Sequence, residues 1–391
     1  MIPYGRQDIS ESDIQAVVDV LRSEFLTQGP TVIAFEKALA SYCHAQHAVA
    51  MSNATAALHI ACLALDVGPG DVVWTSPITF VASANCAIYC GATVDFVDID
   101  PRTYNLSPER LAEKLERAEK SGKLPKIVIP VHLSGQPCDM AAIHKLSQRY
   151  GFKIIEDASH AMGGRYKDEP VGNCRYSDIT VFSFHPVKII TTAEGGMALT
   201  NTPQLASRMA RFRSHGITRV PTEMTHIPDG PWYYQQIDLG FNYRMPDLQA
   251  ALGLSQLHRL DQFVSSRHDI AERYDRSLTQ EWVTTPWHSA DSYSAKHLYI
   301  IRVQKNNKSE CNRRDLFERF RSDGILVNLH YIPVYHHPFY AKMGFKRSDF
   351  PEAESYYAEA LSLPIYPGLT ESQQKSVIDR LNAPLGHQTI F

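Results

Sequence analysis

Positive charge is not in excess in this chain: 39 Lys and Arg stand against 42 Asp and Glu, a formal net charge of −3 over 391 residues. Such a balance offers no basic field for a nucleic-acid backbone, so an anionic ligand has to be met by local devices. Cysteine is sparse too. The seven present form no C-x-x-C pair and no repeated spacing, which argues against a disulfide framework or a cysteine zinc site and fits reduced thiols. Cys86 and Cys90 are expected to pack from one helix face. The opening MIPYGRQDISESD lacks the basic start and apolar core of a signal peptide, so a cytoplasmic location is expected. One stretch without a single charge, Val72 to Val94, is long enough to raise the question of a membrane span. There Pro77, Asn85 and Gly91 favour a buried strand followed by a buried helix over a membrane span.

What is present is an ordinary globular composition, 44% apolar and 21% charged, at a length that allows one large domain and a smaller one. Ile14, Val17, Val18, Leu21 and Phe25 recur at helical spacing, with Ser10 and Asp13 placed as a capping pair. A second helix carries Phe35, Leu39 and Tyr42. Short apolar runs then alternate with amphipathic segments: HAVAM (47–51), DVVWTS (71–76), TVDFVDI (93–99), KIVIPV (126–131), KIIED (153–157), ITVFSF (179–184) and MALT (197–200). Between them, residues 107–122 read as a helix with an N-cap serine, a first-turn proline and a closing glycine. This alternation predicts an α/β fold with a mostly parallel sheet covered by helices on both faces. A long helix is expected from Leu248 to Leu278. Beyond it the pattern predicts a smaller α+β unit with strands at 297–303 and 325–331, and a last helix opened by the capping box TESQ (370–373). The division expected is 1–250 for the large domain and 251–391 for the small one.

Ligands of open α/β sheets bind beyond the carboxyl ends of the strands. SNATAALHIA follows HAVAM, and its small, hydroxyl-bearing start makes a helix N-terminus suited to a phosphate, unless Ser52 or Asn53 is there only as a cap. Asp157 ends KIIED, with His160 just after it. That carboxylate either pairs with a protonated ring nitrogen or caps the next helix. Lys188 follows ITVFS within SFHPVKIITTAEGG, beside Val187, Ile189 and Ile190. A fully buried lysine typically shifts its pKa down by ~3–5 units, so this amine is either a surface lysine with a snorkelling stem or a Schiff-base former whose partner compensates for burial. Phosphate cradle, ring-nitrogen carboxylate and apolar lysine, in that order on successive strand ends, are what pyridoxal phosphate requires. His330, His336 and His337 lack a completing Cys or acid, so no metal site is expected.

The stretches SNATAALHIA, SPITFVASAN, EDASHAMG, SFHPVKIITTAEGG, RSHGI and FNYRMPDLQAALGLSQL resemble, in order and spacing over nearly the whole chain, the DegT/DnrJ-type sugar aminotransferases. The resemblance implies the fold of aspartate aminotransferase (fold type I), pyridoxal 5′-phosphate bound to Lys188, and active sites shared across a homodimer. Lys188 would join the cofactor and then carry the proton, Asp157 would pair with the pyridine nitrogen, and His160 would lie near the ring hydroxyl. Phe80 would lie against the ring face, and Ala54, Thr55 and Ser183 would hold the phosphate. Asn242 would reach that phosphate from the neighbouring subunit.

Some relatives carry histidine at the lysine position and dehydrate sugars, so the lysine favours aminotransfer. K-I-I-T in place of K-N-I-T, together with NLHYIPVYHHPFY (328–340), resembles the branch of the family serving pseudaminic acid synthesis. That branch transfers an amino group from glutamate to C4 of a UDP-linked 4-keto-6-deoxy-N-acetylhexosamine. By the same resemblance Tyr4, Glu24, Phe25, Leu26, Thr27, Asn328, Leu329, His330, Tyr331 and Tyr340 would face the sugar nucleotide. Two alternatives are a GDP- or dTDP-linked 4-keto sugar as acceptor, and a non-catalytic sugar-nucleotide-binding protein that has kept the fold.

Overall fold

In the computed structural model, which describes residues 1–304 and 312–383, the alternating apolar runs assemble into one seven-stranded sheet. Its strands are β1 (His47–Met51), β2 (Val72–Thr75), β3 (Thr93–Phe96), β4 (Ile127–Ile129), β5 (Lys153–Asp157), β6 (Ile179–Ser183) and β7 (Gly196–Thr200). They lie in the order β1-β7-β6-β5-β4-β2-β3. Pairing is parallel from β3 through β6, and β7 alone runs the other way, between β6 and β1. The carboxyl ends of β1, β2, β5 and β6 therefore open on the same edge.

Up to residue 277 the helices are α1 (Glu11–Leu21), α2 (Pro30–Cys43), α3 (Ala54–Ala64), α4 (Ala82–Tyr89), α5 (Pro108–Ser121), α6 (Met140–Tyr150), α7 (Pro203–Phe212), α8 (Asp247–Leu257) and α9 (Leu260–Ser277), and the C-terminal unit adds Arg313–Ser322, Pro338–Ala341, Pro351–Glu359 and Glu371–Asn382. Residues of α3, α4 and α7 share one apolar cluster, α5 and α6 another, and α2 and α8 a third, so helices cover both faces of the sheet. Local chemistry sets their ends. Ser107 accepts from Arg110 N at the start of α5, Pro108 opens the helix, and Gly122 closes it at φ +66, a left-handed conformation that costs glycine little. Ser10 and Asp13 close a reciprocal capping box on α1.

Several sequence expectations meet a different structure. α1 buries Asp13 and Val20, whereas Ile14 and Leu21 are 48% and 56% exposed, as are Phe25 and Leu26 just beyond it at 49% and 47%. Of the expected stripe only Val17 and Val18 are part-buried, while Ile14, Leu21 and Phe25 face away from their own chain. The long helix from residue 248 divides at His258 and Arg259, where Arg259 turns to bond Asp8 and Asp13. Residue 250 falls inside α8, and the apolar clusters change hands along α9: Leu260, Phe263 and Val264 belong to the α2–α8 cluster, Ile270 and Tyr274 to that of the C-terminal strands. Ile2–Pro3 pairs with Ile325–Leu326 and ties the chain's start to that C-terminal unit. Of the strand expected over 325–331, only Ile325–Leu326 is regular; from Val327 the chain turns toward the large sheet.

Val72 to Val94 contains β2, α4 and the first two residues of β3, and no helix among the described residues is long and apolar enough to cross a membrane. Six cysteines are free thiols, with Cys62 within bonding reach of both Cys86 and Cys90. Cys311 lies outside the described residues.

Candidate active site

A cavity of about 780 Å³ opens at the carboxyl ends of the parallel strands. It collects Ala54 and Thr55 from the start of α3, Phe80 from the loop after β2, Asp157 and His160 after β5, and Ser183 and Lys188 after β6. Tyr4, Asn328, Leu329, His330 and Tyr331 form another part of its wall. The β-branched neighbours of Lys188 explain its placement: Ile189 and Ile190 are core residues that anchor the loop, while Lys188 lines the cavity. Part-buried in the cavity wall, its ammonium is pushed down to about 8 by desolvation, against the opposing attraction of Asp157.

At the first strand end, Asn53 caps α3 by accepting from Ala56 N at 2.8 Å. Ala54 and Thr55 stand at the helix start, where N–H groups have no intrahelical partner. Gly196 makes this approach possible. A Cβ there would stand 2.5 Å from both Ala54 N and Asn53 C, so only glycine lets β7 pass so close to the helix start.

Asp157 is not a helix cap. Its Oδ1 accepts from Ser159 N at 3.1 Å and Ser159 Oγ at 2.6 Å, and its Oδ2 accepts from Ser83 Oγ at 2.6 Å. His160 places Nε2 3.0 Å from the Tyr331 hydroxyl, while its buried Nδ1 has no partner. Burial, with Lys188 and His330 charges adding to it, holds His160 well below the usual histidine range, so the ring is neutral near pH 7. His330 is driven down to about 3 by burial and by Lys188, and its Nδ1 lies 2.8 Å from Ser362 Oγ.

Not every expected residue meets the cavity of its own chain. Asn242 lies outside the wall, although the adjacent Tyr243 lines it. Glu24, Phe25, Leu26 and Thr27 lie elsewhere, between α1 and α2. Tyr340 is 2% exposed and packs on Phe96, its hydroxyl donating to Asn85; the structure corrects the expectation that it faces this space. His59, Thr79, Tyr89, Ser159, His185 and Glu194 line the cavity without having been singled out. His59 was within reach of sequence reasoning, since it lies one helical turn after Thr55 on α3.

The residues present fit pyridoxal phosphate: a helix start for an anion, a buried carboxylate for a ring nitrogen, an unpartnered buried nitrogen for a ring hydroxyl, and a lysine amine beside them. Comparisons with known proteins agree. The DegT/DnrJ/EryC1/StrS aminotransferase family description matches residues 7–382. The spore coat polysaccharide biosynthesis protein SpsC of Bacillus subtilis (strain 168) is 39% identical over 381 residues, covering 97% of this chain and 95% of the relative. The UDP-4-amino-4,6-dideoxy-N-acetyl-beta-L-altrosamine transaminase of Campylobacter jejuni subsp. jejuni serotype O:23/36 (strain 81-176) is 36% identical over 382 residues, 97% of this chain and 96% of that one. Among solved structures, Helicobacter pylori PseC, an aminotransferase involved in the biosynthesis of pseudoaminic acid, superimposes with a TM-score of 0.88 at 29% identity, covering 97% and 98% of the two chains.

Proposed function

The chain belongs to the DegT/DnrJ/EryC1/StrS aminotransferase family, whose members are pyridoxal-phosphate-dependent sugar aminotransferases, and from that premise we propose that it moves an amino group from glutamate to C4 of a UDP-linked 4-keto-6-deoxy-N-acetylhexosamine, as in pseudaminic acid biosynthesis. The observation that carries this reading is the amine of Lys188 inside a cavity whose opposite resources are a phosphate cradle, a carboxylate and the Asn328–Tyr331 segment. The likeness to the Campylobacter transaminase and to PseC supports the choice of sugar.

Bound pyridoxal phosphate supplies the electron sink through which the amino group passes from donor to acceptor. Everything else falls to side chains. Lys188 Nζ would hold the cofactor's aldehyde, then take the proton from the donor's Cα and later return one to sugar C4. An amine pushed down to about 8 suits both directions near neutral pH. The Ala54 and Thr55 N–H groups with Ser183 Oγ would take the phosphate, Asp157 the ring nitrogen, and neutral His160 the ring hydroxyl. Phe80 would lie against the ring, 6.2 Å from Tyr331. The 328–331 segment and Tyr4 would meet the sugar nucleotide.

Homodimerisation is part of the same reading. Ile14, Leu21, Phe25, Leu26 and Ile33 are each roughly half exposed along α1, the connecting chain and the first turn of α2, an apolar stripe that a second copy would cover. Asn242 and residues 24–27, outside their own cavity, would then serve the neighbouring one. The test is amination assayed side by side with UDP-, GDP- and dTDP-linked 4-keto-6-deoxy sugars and glutamate. Turnover led by the UDP sugar supports the reading, and a GDP or dTDP sugar leading overturns the choice of nucleotide. A protein that binds the sugar nucleotide without turnover on any of them overturns catalysis.

A further inference from the structure

Behind Asp157 stands a short chain of hydroxyls that the reaction as described does not use. Ser83, in the first turn of α4, is 0% exposed, and Thr79 is 2% exposed. Ser83 Oγ lies 2.6 Å from Asp157 Oδ2, and Thr79 Oγ1 lies 2.7 Å from Ser83 Oγ. Proton counting fixes the direction of both bonds. An ionised carboxylate only accepts, so the single proton of Ser83 goes to Asp157. Ser83 then has only lone pairs left for its other neighbour, and Thr79 must donate to it. A weaker alternative acceptor, Phe80 O, is 3.4 Å from Ser83 Oγ.

Their surroundings make this arrangement costly unless it is used. Ile78, Ala82, Ala84 and Ala87 around these hydroxyls belong to the apolar cluster of α3 and α4, where alanine or valine would pack without a polar atom to satisfy. We infer that Ser83, oriented by Thr79, is a positioning residue that fixes the Asp157 carboxylate in the orientation from which it grips the cofactor's ring. This rests on the reading of Asp157 as the ring-nitrogen partner. Ser159 holds Oδ1 from the cavity side with both its N–H and its hydroxyl, whereas Oδ2 is held by the Ser83 hydroxyl alone and retains a lone pair for the ring. Rotation of the carboxylate is blocked from both sides.

The experiment titrates apoprotein with pyridoxal phosphate, following the visible band and the dissociation constant, for Ser83→Ala, Thr79→Val, Thr79→Ser and Asp157→Asn, with melting of each apoprotein alongside. Because bonds to charged groups are the stronger ones, Ser83→Ala is expected to weaken cofactor binding about tenfold, and Thr79→Val about threefold. Thr79→Ser, which keeps the hydroxyl, restores wild-type affinity. In turnover, kcat falls more than the KM for glutamate rises. Ser83→Ala with wild-type affinity and band, while Asp157→Asn loses both, overturns the inference and leaves the role of Asp157 standing. Wild-type behaviour of Asp157→Asn overturns that role and the inference with it. Should Ser83→Ala fail to fold, the Thr79 pair decides: equal affinity for the valine and serine variants overturns the inference, and a deficit confined to valine supports it.

Discussion

Gly196→Ala isolates one contact on which cofactor binding is argued to depend. The residue does not occupy the left-handed region, so alanine meets no conformational obstacle. Its Cβ would instead arrive 2.5 Å from Ala54 N, 2.5 Å from Asn53 C and 2.7 Å from Ala54 Cα. All three are backbone atoms, so no rotamer change relieves them, and the start of α3 must retreat by about 1 Å to reach ordinary packing distance. Overpacking of this kind costs about 1–3 kcal/mol of stability. The phosphate feels the same shift, because charge-assisted N–H bonds do not survive an added ångström, and a roughly tenfold to hundredfold rise in the cofactor's Kd follows. Fluorescence titration of apoprotein with pyridoxal phosphate measures it. Gly68→Ala is the control, since a Cβ there meets nothing within 4 Å and affinity should stay at the wild-type value. A Gly196→Ala protein with wild-type Kd and melting temperature would refute the argument that α3 is held at its place by the missing side chain.

Other consequences can be checked alongside. Asp247, fully buried in α8, accepts from Gly29 N, Thr31 N and Val32 N at 2.8, 2.9 and 3.2 Å; Asp247→Ala should cost about 2–4 kcal/mol in denaturant unfolding, and an unchanged midpoint would deny its capping of α2. Burial holds Lys188 near 8, so a larger fraction is the reactive neutral amine as pH rises. Capture of pyridoxal phosphate by apoprotein should therefore accelerate with pH up to about pH 8 and level off above it, in stopped-flow absorbance, whereas a rise continuing to pH 10 would mean an unperturbed amine. Leu21→Glu on the exposed stripe should yield monomers in sedimentation velocity together with weakened cofactor binding. Mixing inactive Lys188→Ala with inactive Asn242→Ala, followed by subunit exchange, should restore about a quarter of wild-type activity, because half the dimers then carry one intact site; no recovery would place Asn242 outside the neighbour's site.

Much of this architecture was legible because short-range rules dominate it. Short apolar runs became the sheet, and the caps at Ser10, Ser107 and Thr370 formed as their spacing indicates. The strand-end rule anticipated that Ala54, Thr55, Asp157, His160, Ser183 and Lys188 meet in one cavity although the chain separates them widely, and the family resemblance added Phe80. What escaped depends on partners remote in sequence. Helical spacing revealed the stripe of α1 but not which side it faces, because the side turned to its own chain is held by Asp13 bonding Ser255, Gln256 and Arg259. Residues 327–331 look like a strand, yet Asn328 exchanges backbone bonds with Ser362 while the following residues bend into the cavity wall. Tyr340 sits in an aromatic segment close to the cavity-lining residues 328–331, and its packing on Phe96 with its hydroxyl on Asn85 keeps it out of the cavity. The hydroxyls of Thr79 and Ser83 gave no pattern at all, since their meaning comes from a carboxylate on another strand.

The most direct test of the account is chemical capture of the lysine. Holoenzyme reduced with borohydride and digested should yield a single pyridoxyl-bearing peptide, with the modification on Lys188. A stable pyridoxyl group on any other lysine, or none after reduction of protein loaded with the cofactor, would contradict it.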